Sequence, residues 1–307
     1  MPALDNHLRI APEVQSALAA HAPVVALETT IVTHGMPYPE NVATARSLEE
    51  EIRRGGATPA TFAVIGGIIR AGVTGEELEW LGSAKDVLKL SRNDLAYAIA
   101  SRKHGSTTVA ATMICAHLAG IRVFATGGIG GVHRGAEATF DISADLEELA
   151  STPVAVVCAG AKALLDLPKT LEYLETRGVP VIGYRTGEFP AFWSRSSGLP
   201  VPIRLERARE IAELLRVKWD LGLRGGAVIA NPVEAADEIP PAEIADLIAA
   251  AVEEGQRKGV AGKAVTPYIL ARLVETTCGR SLRTNIALAK SNARLAAEIA
   301  VALGATA

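Results

Sequence analysis

Residues 23–56 read PVVALETTIVTHGMPYPENVATARSLEEEIRRGG, and the fold follows from the contrast between the two ends of this stretch. Residues 23–32 form a short run rich in Val and Ile, the composition of a strand in a covered sheet. From Pro39 the period becomes helical. Val42, Ala45, Leu48 and Ile52 fall on one face, and Glu49, Glu50, Arg53 and Arg54 form a solvent-facing one. Pro39 suits the first turn, and Gly55 with Gly56 supplies the stop.

The same alternation continues outward. TFAVIGGIIRAGV (61–73) precedes TGEELEWLG, and DVLKLS (86–91) precedes RNDLAYAIASRKHG. IRVFATGG, PVAVVCAG, VPVIGYRT and AVIANP extend the strand series. Strands alternating with amphipathic helices predict an α/β fold with a mainly parallel sheet. STTVAATMICAHLAG (106–120) is apolar nearly all round and reads as a helix buried between layers. After about Pro200 helix follows helix, through RLERAREIAELLRVKWDLG, PAEIADLIAAAVEEGQRKG, TPYILARLVETTCG and SLRTNIALAKSNARLAAEIAVALG. With no linker, low-complexity tract or repeat, residues 1–307 read as a single domain with a helical C-terminal portion.

Composition narrows the function classes. A chain of 307 residues that is 49% hydrophobic supports one sizeable core. Its formal net charge of −3 gives no basic field for nucleic acid or an anionic membrane, so a substrate phosphate must be met by locally placed groups. Cys115, Cys158 and Cys278 are widely spaced without a CxxC pair, which fits a reducing cytoplasm better than a disulfide framework. Asp5, Arg9 and Glu13 interrupt the segment where a signal peptide needs apolar residues, and no apolar run approaches membrane-spanning length; the expectation is a soluble, unexported protein.

Open α/β sheets bind ligands outside the carboxyl ends of their strands. Polar residues reach those positions from five segments: Glu28, Thr29 and Thr30 in ALETT; Lys89 in LKLS; His133 and Arg134 in ATGGIGGVHRG; Asp141, Ser143 and Asp145 in FDISADLEE; and Lys162 in PVAVVCAGAK. Singly, each is better read as a capped loop or a surface charge; together they outline a site. The run Gly127, Gly128, Gly130, Gly131 lacks a glycine where GxGxxG would require one, since His133 stands there, and reads as a flexible loop for close approach. Ser143 suits a helix N-cap, read equally as one whose N–H groups face an anion or as a plain capped start whose acidic residues favour the dipole. Asp141 and Asp145, with Glu137 nearby, offer hard oxygen ligands for Mn²⁺ or Mg²⁺. His133 is a functional candidate, whereas His117, inside an apolar helix, reads as structural. Glu28 closes an apolar strand, an environment that raises a carboxyl pKa toward a general acid's range; the alternative is a buried carboxylate satisfied by backbone N–H groups. At Lys162, desolvation and a nearby Lys89 would favour the neutral amine, a nucleophile that forms imines with aldehydes.

These residues lie in long motifs. VALETTIVTHGMPYPEN, GATPATFAVIGG, LKLSRNDL, GSTTVAATM, FATGGIGGVHRGAEATFDISADL, CAGAKALLDLPKTLEYLET and TNIALAKSNA together resemble the pseudouridine-5′-phosphate glycosidase family, also called the indigoidine synthase A family. The resemblance runs from about Ala22 to the final helix; the first twenty residues and the segment from Arg204 to Gly262 are less diagnostic. It implies a three-layer α/β/α fold, a homotrimer, a divalent metal that is usually Mn²⁺, and reversible conversion of pseudouridine 5′-phosphate and water to uracil and ribose 5-phosphate. Matched motif by motif, it implies that Lys162 is the imine-forming nucleophile, Glu28 the proton donor and Asp141 the metal ligand. Lys89, Val109, Ser143, Ala144 and Asp145 match substrate contacts, and His133 and Asn285 match polar positions near the ligand.

Such a reaction gives the lysine a purpose. Pseudouridine joins sugar to base by a carbon–carbon bond, a poor leaving arrangement for simple oxocarbenium chemistry. An opened sugar linked through C1′ to a lysine offers an iminium electron sink instead, without the paired carboxylates of ordinary glycosidases. Two competing classes are a ribokinase-like sugar kinase and a non-catalytic phosphosugar-binding protein. The kinase would need an aspartate in a glycine-rich C-terminal motif, and LRGGAVIANP has none.

Overall fold

In the computed structural model, which describes residues 6–260 and 262–305, the strand expected from residue 23 forms over Val24–Leu27 and the helix after it over Glu40–Arg54. In chain order the first half comprises β1 (Leu8–Ile10), α1 (Pro12–Ala19), β2 (Val24–Leu27), α2 (Glu40–Arg54), β3 (Thr58–Ile65), β4 (Ile68–Ala71), α3 (Gly75–Ser83), β5 (Leu88–Leu90), α4 (Leu95–Ala100), β6 (Gly105–Thr107) and α5 (Val109–Leu118). The second half comprises β7 (Val123–Ala125), α6 (Ala136–Thr139), α7 (Ala144–Ser151), β8 (Ala155–Cys158), α8 (Leu167–Thr176), β9 (Val181–Tyr184), β10 (Ile203–Leu205), α9 (Ala208–Asp220), β11 (Ala227–Ala230), α10 (Pro241–Arg257), α11 (Val265–Thr276) and α12 (Arg280–Gly304).

The sheet order is β1-β4-β3-β2-β7-β8-β11-β9-β10, and every pairing from β3 to β10 is parallel. Helices α2, α12 and α9 pack side by side over one face, and α5 and α7 pack together on the other, which gives the three layers α/β/α. The strands read apolar throughout because both faces are covered: β2, β7, β8 and β11 are buried along their whole lengths. Each fully buried aliphatic side chain of this kind contributes roughly 1.5–3 kcal/mol. No helix among the described residues is long and apolar enough to cross a membrane.

Several boundaries differ from the sequence reading, each for a physical reason. TFAVIGGIIRAGV is an antiparallel hairpin, β3 and β4, turned at Gly66 and Gly67, which both take positive φ. The buried helix begins at Val109, because Gly105–Thr107 pair with β3 and β5 first. Residues 203–205 add an edge strand before α9. Pro39 is the N-cap of α2, not a first-turn residue, and Glu49 is half-buried, its carboxylate taken by the Thr61 hydroxyl at 2.6 Å. His117 is exposed near the end of α5, so it has no structural role in the core.

Candidate active site

Two strands meet head-on to build the floor of the site. Strand β4 occupies one edge of β3 at residues 62–65, so β2 (against residues 58–61) and antiparallel β6 (against residues 63 and 64) must share the other edge and run toward each other. Their carboxyl ends are stitched together there. The Thr29 hydroxyl donates to the Phe62 carbonyl at 2.7 Å and accepts from the Thr107 N–H at 3.1 Å, and the Thr30 hydroxyl donates to the Thr107 carbonyl at 2.8 Å. Glu28 is carried out of β2 at this junction, half-buried in the wall of a cavity of about 320 Å³. The Thr126 hydroxyl, one residue past β7, donates a short hydrogen bond to Glu28 Oε1. Burial raises the Glu28 carboxyl above its ordinary value, against the opposing pull of Lys162, the Thr126 hydrogen bond and Lys89. That environment favours a carboxylic acid that holds its proton.

The glycine run extends the β7–β8 pairing beyond both strands. Ala159 N–H donates to the Gly127 carbonyl at 2.9 Å, Ile129 N–H to Gly160 at 3.1 Å, and Lys162 N–H to Ile129 at 3.1 Å. The loop is therefore buried and laddered, not flexible; its expected capacity for close approach holds. A Cβ on Gly130 would stand 2.2 Å from Ser143 Oγ and 2.7 Å from Asp145 Oδ2. Gly160 has φ +76° with the Pro190 carbonyl 2.1 Å from where a Cβ would be, so only glycine turns the chain there. This ladder delivers Lys162, half-buried, to the cavity that holds Glu28. Cys158, at the end of β8, is no competing nucleophile, since burial pushes its thiol up to about 12.

Helices α5 and α7 start at the same cavity, with Val109 and Ala144 as their first residues and Thr108 and Ser143 as N-caps. Asp145 ties them together: buried, it accepts from Ala110 N–H at 2.9 Å and Gly130 N–H at 2.8 Å. Lys89, mid-strand in β5, lines this cavity too. A lysine beside two helix N-termini suits an anionic ligand group.

Asp141 lies at the rim with its side chain 47% exposed, its Oδ2 3.8 Å from His133 Nδ1. The carboxylates expected beside it are engaged elsewhere: Asp145 is committed to backbone N–H groups, and Glu137 is paired with Lys169 at 2.8 Å. Among the described residues no three His, Cys, Asp or Glu side chains converge as a metal cluster. Asp141 alone therefore fits a hard ion that keeps most of its waters, and does not fit a fully protein-ligated one. Burial lowers the His133 pKa, with Asp141 opposing and Lys162 and Lys89 reinforcing the shift.

Of the residues carried from the sequence, Glu28, Thr30, Lys89, Val109, His133, Asp141, Ser143, Ala144, Asp145, Lys162 and Asn285 line this one cavity, and Thr29 and Glu137 do not. Arg134 does not; it lines a neighbouring cavity under α10 and α11. Sequence reasoning missed Thr126, whose place directly after a strand was the available signal. It also missed His34, in a π-helical turn over Ile31–Gly35, whose pKa is lowered by burial and Lys89 and whose Nε2 has no hydrogen-bond partner. Thr266, Pro267 and Leu270 of α11 reach the cavity from a segment whose local pattern shows only an amphipathic helix.

Residues 13–302 match the family model described as indigoidine synthase A like protein. A pseudouridine-5′-phosphate glycosidase of Solibacter usitatus is 72% identical over 297 residues, covering 97% of this chain and 99% of that protein. Among solved structures, the prealnumycin C-glycosynthase AlnA in complex with ribulose 5-phosphate superposes with a TM-score of 0.90 at 38% identity, covering 98% of each chain. An indigoidine synthase A-like protein from Thermotoga maritima superposes with a TM-score of 0.88 at 37% identity, covering 97% of each chain.

Proposed function

The chain belongs to the indigoidine synthase A-like family, and from that premise we propose that it reversibly cleaves the carbon–carbon glycosidic bond of pseudouridine 5′-phosphate to uracil and ribose 5-phosphate through a lysine imine. The observation that carries this reading is the placement of Lys162 and a Glu28 of raised pKa in one cavity. Relatives named as pseudouridine-5′-phosphate glycosidases and a structural neighbour that holds a pentulose 5-phosphate support the same substrate class.

In this mechanism Glu28 gives its proton to the ring oxygen O4′ as the C1′–O4′ bond breaks, and the nitrogen of Lys162, once it has given up its proton, forms a bond to C1′ through its lone pair. The nitrogen, a cation once bonded, gives a proton to the Glu28 carboxylate, and Glu28 delivers it to C5 of the base while the C1′–C5 bond breaks, its electrons going to the base and the lysine nitrogen's lone pair forming the iminium. Water adds to C1′ and returns ribose 5-phosphate and the free amine. The phosphate is assigned to Lys89 and the starts of α5 and α7, including Val109, Ser143, Ala144 and Asp145. His133 and Asn285 are assigned polar contacts to the substrate. Asp141 would hold a hydrated divalent ion, Mn²⁺ by preference, which supplies positive charge beside the anionic substrate. The proposal includes a homotrimer in the cytoplasm; Phe140, 84% exposed beside Asp141, is an apolar side chain that assembly would cover.

The test is to add pseudouridine 5′-phosphate and Mn²⁺ without ATP and follow ultraviolet absorbance. Release of uracil and ribose 5-phosphate in equal amounts is expected. No uracil release, or a requirement for ATP, would overturn the reading in favour of a binding protein or a kinase.

A further inference from the structure

The wall that holds Glu28 is itself held by a buried chain of amides. Asn292, midway along α12, has no exposed surface. Its Nδ2 donates to the Thr126 carbonyl at 2.7 Å and more distantly to the Gly127 carbonyl at 3.4 Å. Its Oδ1 accepts from Asn231 Nδ2 at 2.9 Å, and the same Asn231 group donates to Ser291 Oγ at 3.1 Å. Asn231 is fixed in turn, one residue past β11, by its own N–H donating to the Cys158 carbonyl at 2.8 Å. Thr126 completes the chain with its hydroxyl on Glu28. The path thus runs from the end of β11, through α12, across the end of β7 to the end of β2, with the fully buried Asn292 amide paired at both its donor and its acceptor.

A side chain that merely filled this space would be aliphatic, since Leu288, Ala289, Ala293, Leu295 and Ala296 around it on α12 are all buried apolar residues. An amide at full burial is costly unless both of its groups are paired, and the pairing here is directional. It fixes the carbonyl of the residue whose hydroxyl aims the Glu28 carboxyl.

We propose that Asn292, oriented by Asn231, is a positioning residue for catalysis that acts through Thr126 on Glu28. The inference rests on Glu28 being the proton donor. Neither asparagine lines the cavity that holds Lys162, so neither touches substrate. Displacing the carboxyl by about an ångström lowers turnover on the order of 10²-fold without changing ground-state contacts. The charged groups acting on Glu28 are Lys162 and Lys89, which favour its ionised form, and Asp145, which opposes it. All three stay in place in the variants.

The experiment is a double-mutant cycle on the full-length protein. Asn292→Leu should lower kcat by about 10- to 100-fold with KM within about threefold, and in a Glu28→Gln background it should cost nothing further. In the parent background the alkaline limb of kcat should also move upward, because a weakened Thr126 hydrogen bond no longer stabilises the Glu28 carboxylate. If Asn292→Leu does not fold, Asn231→Ser, which removes the amide that orients Asn292, is held to the same criteria. An unchanged kcat, or the same fractional loss in both backgrounds, overturns the proposal. Parental activity in Glu28→Gln alone would instead overturn the assignment of Glu28, a distinguishable failure.

Discussion

The two ends of the cavity are built differently. At one, Glu28 sits in a stitched junction of strand ends, with Thr126 on its carboxyl and Asn292 behind Thr126. At the other, Asp141 stands half in solvent with a single loose approach to His133 at 3.8 Å. Groups that must be aimed before reaction are worth fixing through folding, since reorganisation then costs nothing at the moment of bond making. A group that only holds a hydrated ion needs charge and access more than aim. In the proposed mechanism the Glu28 end carries the chemistry, and the Asp141 end serves binding.

Substitutions separate the ends by size and kind of effect. Lys162→Arg keeps the positive charge but forms no imine, because guanidinium stays protonated. It should fold, bind ribose 5-phosphate, and lose on the order of 10³-fold or more in kcat, the scale on which removing a covalent nucleophile acts. Near-parental turnover would place the nucleophile elsewhere.

Glu28→Gln should lower kcat by about 10²- to 10⁴-fold. Its pH profile carries more information than its size. Burial raises the Glu28 pKa, so the acid is protonated and competent below that value and is lost as pH rises through it. The parent should therefore show an alkaline limb above the ordinary carboxylate range, and the glutamine variant should lack that limb. A limb surviving in Glu28→Gln would assign it to another group.

Effects at the binding end should be smaller and of another kind. Asp141→Ala, or exhaustive chelation of the parent, should lower kcat/KM by about 10- to 100-fold, and added Mn²⁺ should restore the chelated parent but not the variant. Full activity after chelation would remove the metal from the account. Lys89→Ala should raise KM about tenfold with little change in kcat or in thermal midpoint, the signature of lost ground-state binding. Equal KM values in variant and parent would end its role at the phosphate.

The α/β layering was legible from the contrast between residues 23–32 and 39–56, because both periods are local. Lys162 and Glu28 were legible because each follows an apolar strand run, Glu28 directly after β2 and Lys162 four residues past β8, where a charge calls for a reason. What local pattern could not carry was the meeting of β2 with β6: antiparallel pairing of Gly105–Thr107 on β3 is decided by Ala63 and Val64, some forty residues away. For the same reason Thr126 and Asn292 went unread. Asn292 looks like any polar residue on a long amphipathic helix until Thr126 and Asn231 are brought to it from two other strands. Asp145 was readable as an acid but not as a brace, since Gly130 and Ala110 come to it through the fold.

The central claim is that Lys162 bonds covalently to the opened sugar, and borohydride trapping tests it most directly. Reduction during turnover with pseudouridine 5′-phosphate, followed by peptide mass spectrometry, should find a ribose 5-phosphate adduct as a secondary amine on the peptide containing Lys162, absent from Lys162→Arg. An adduct on Lys89, or full turnover with no reducible adduct on any lysine, would contradict the account.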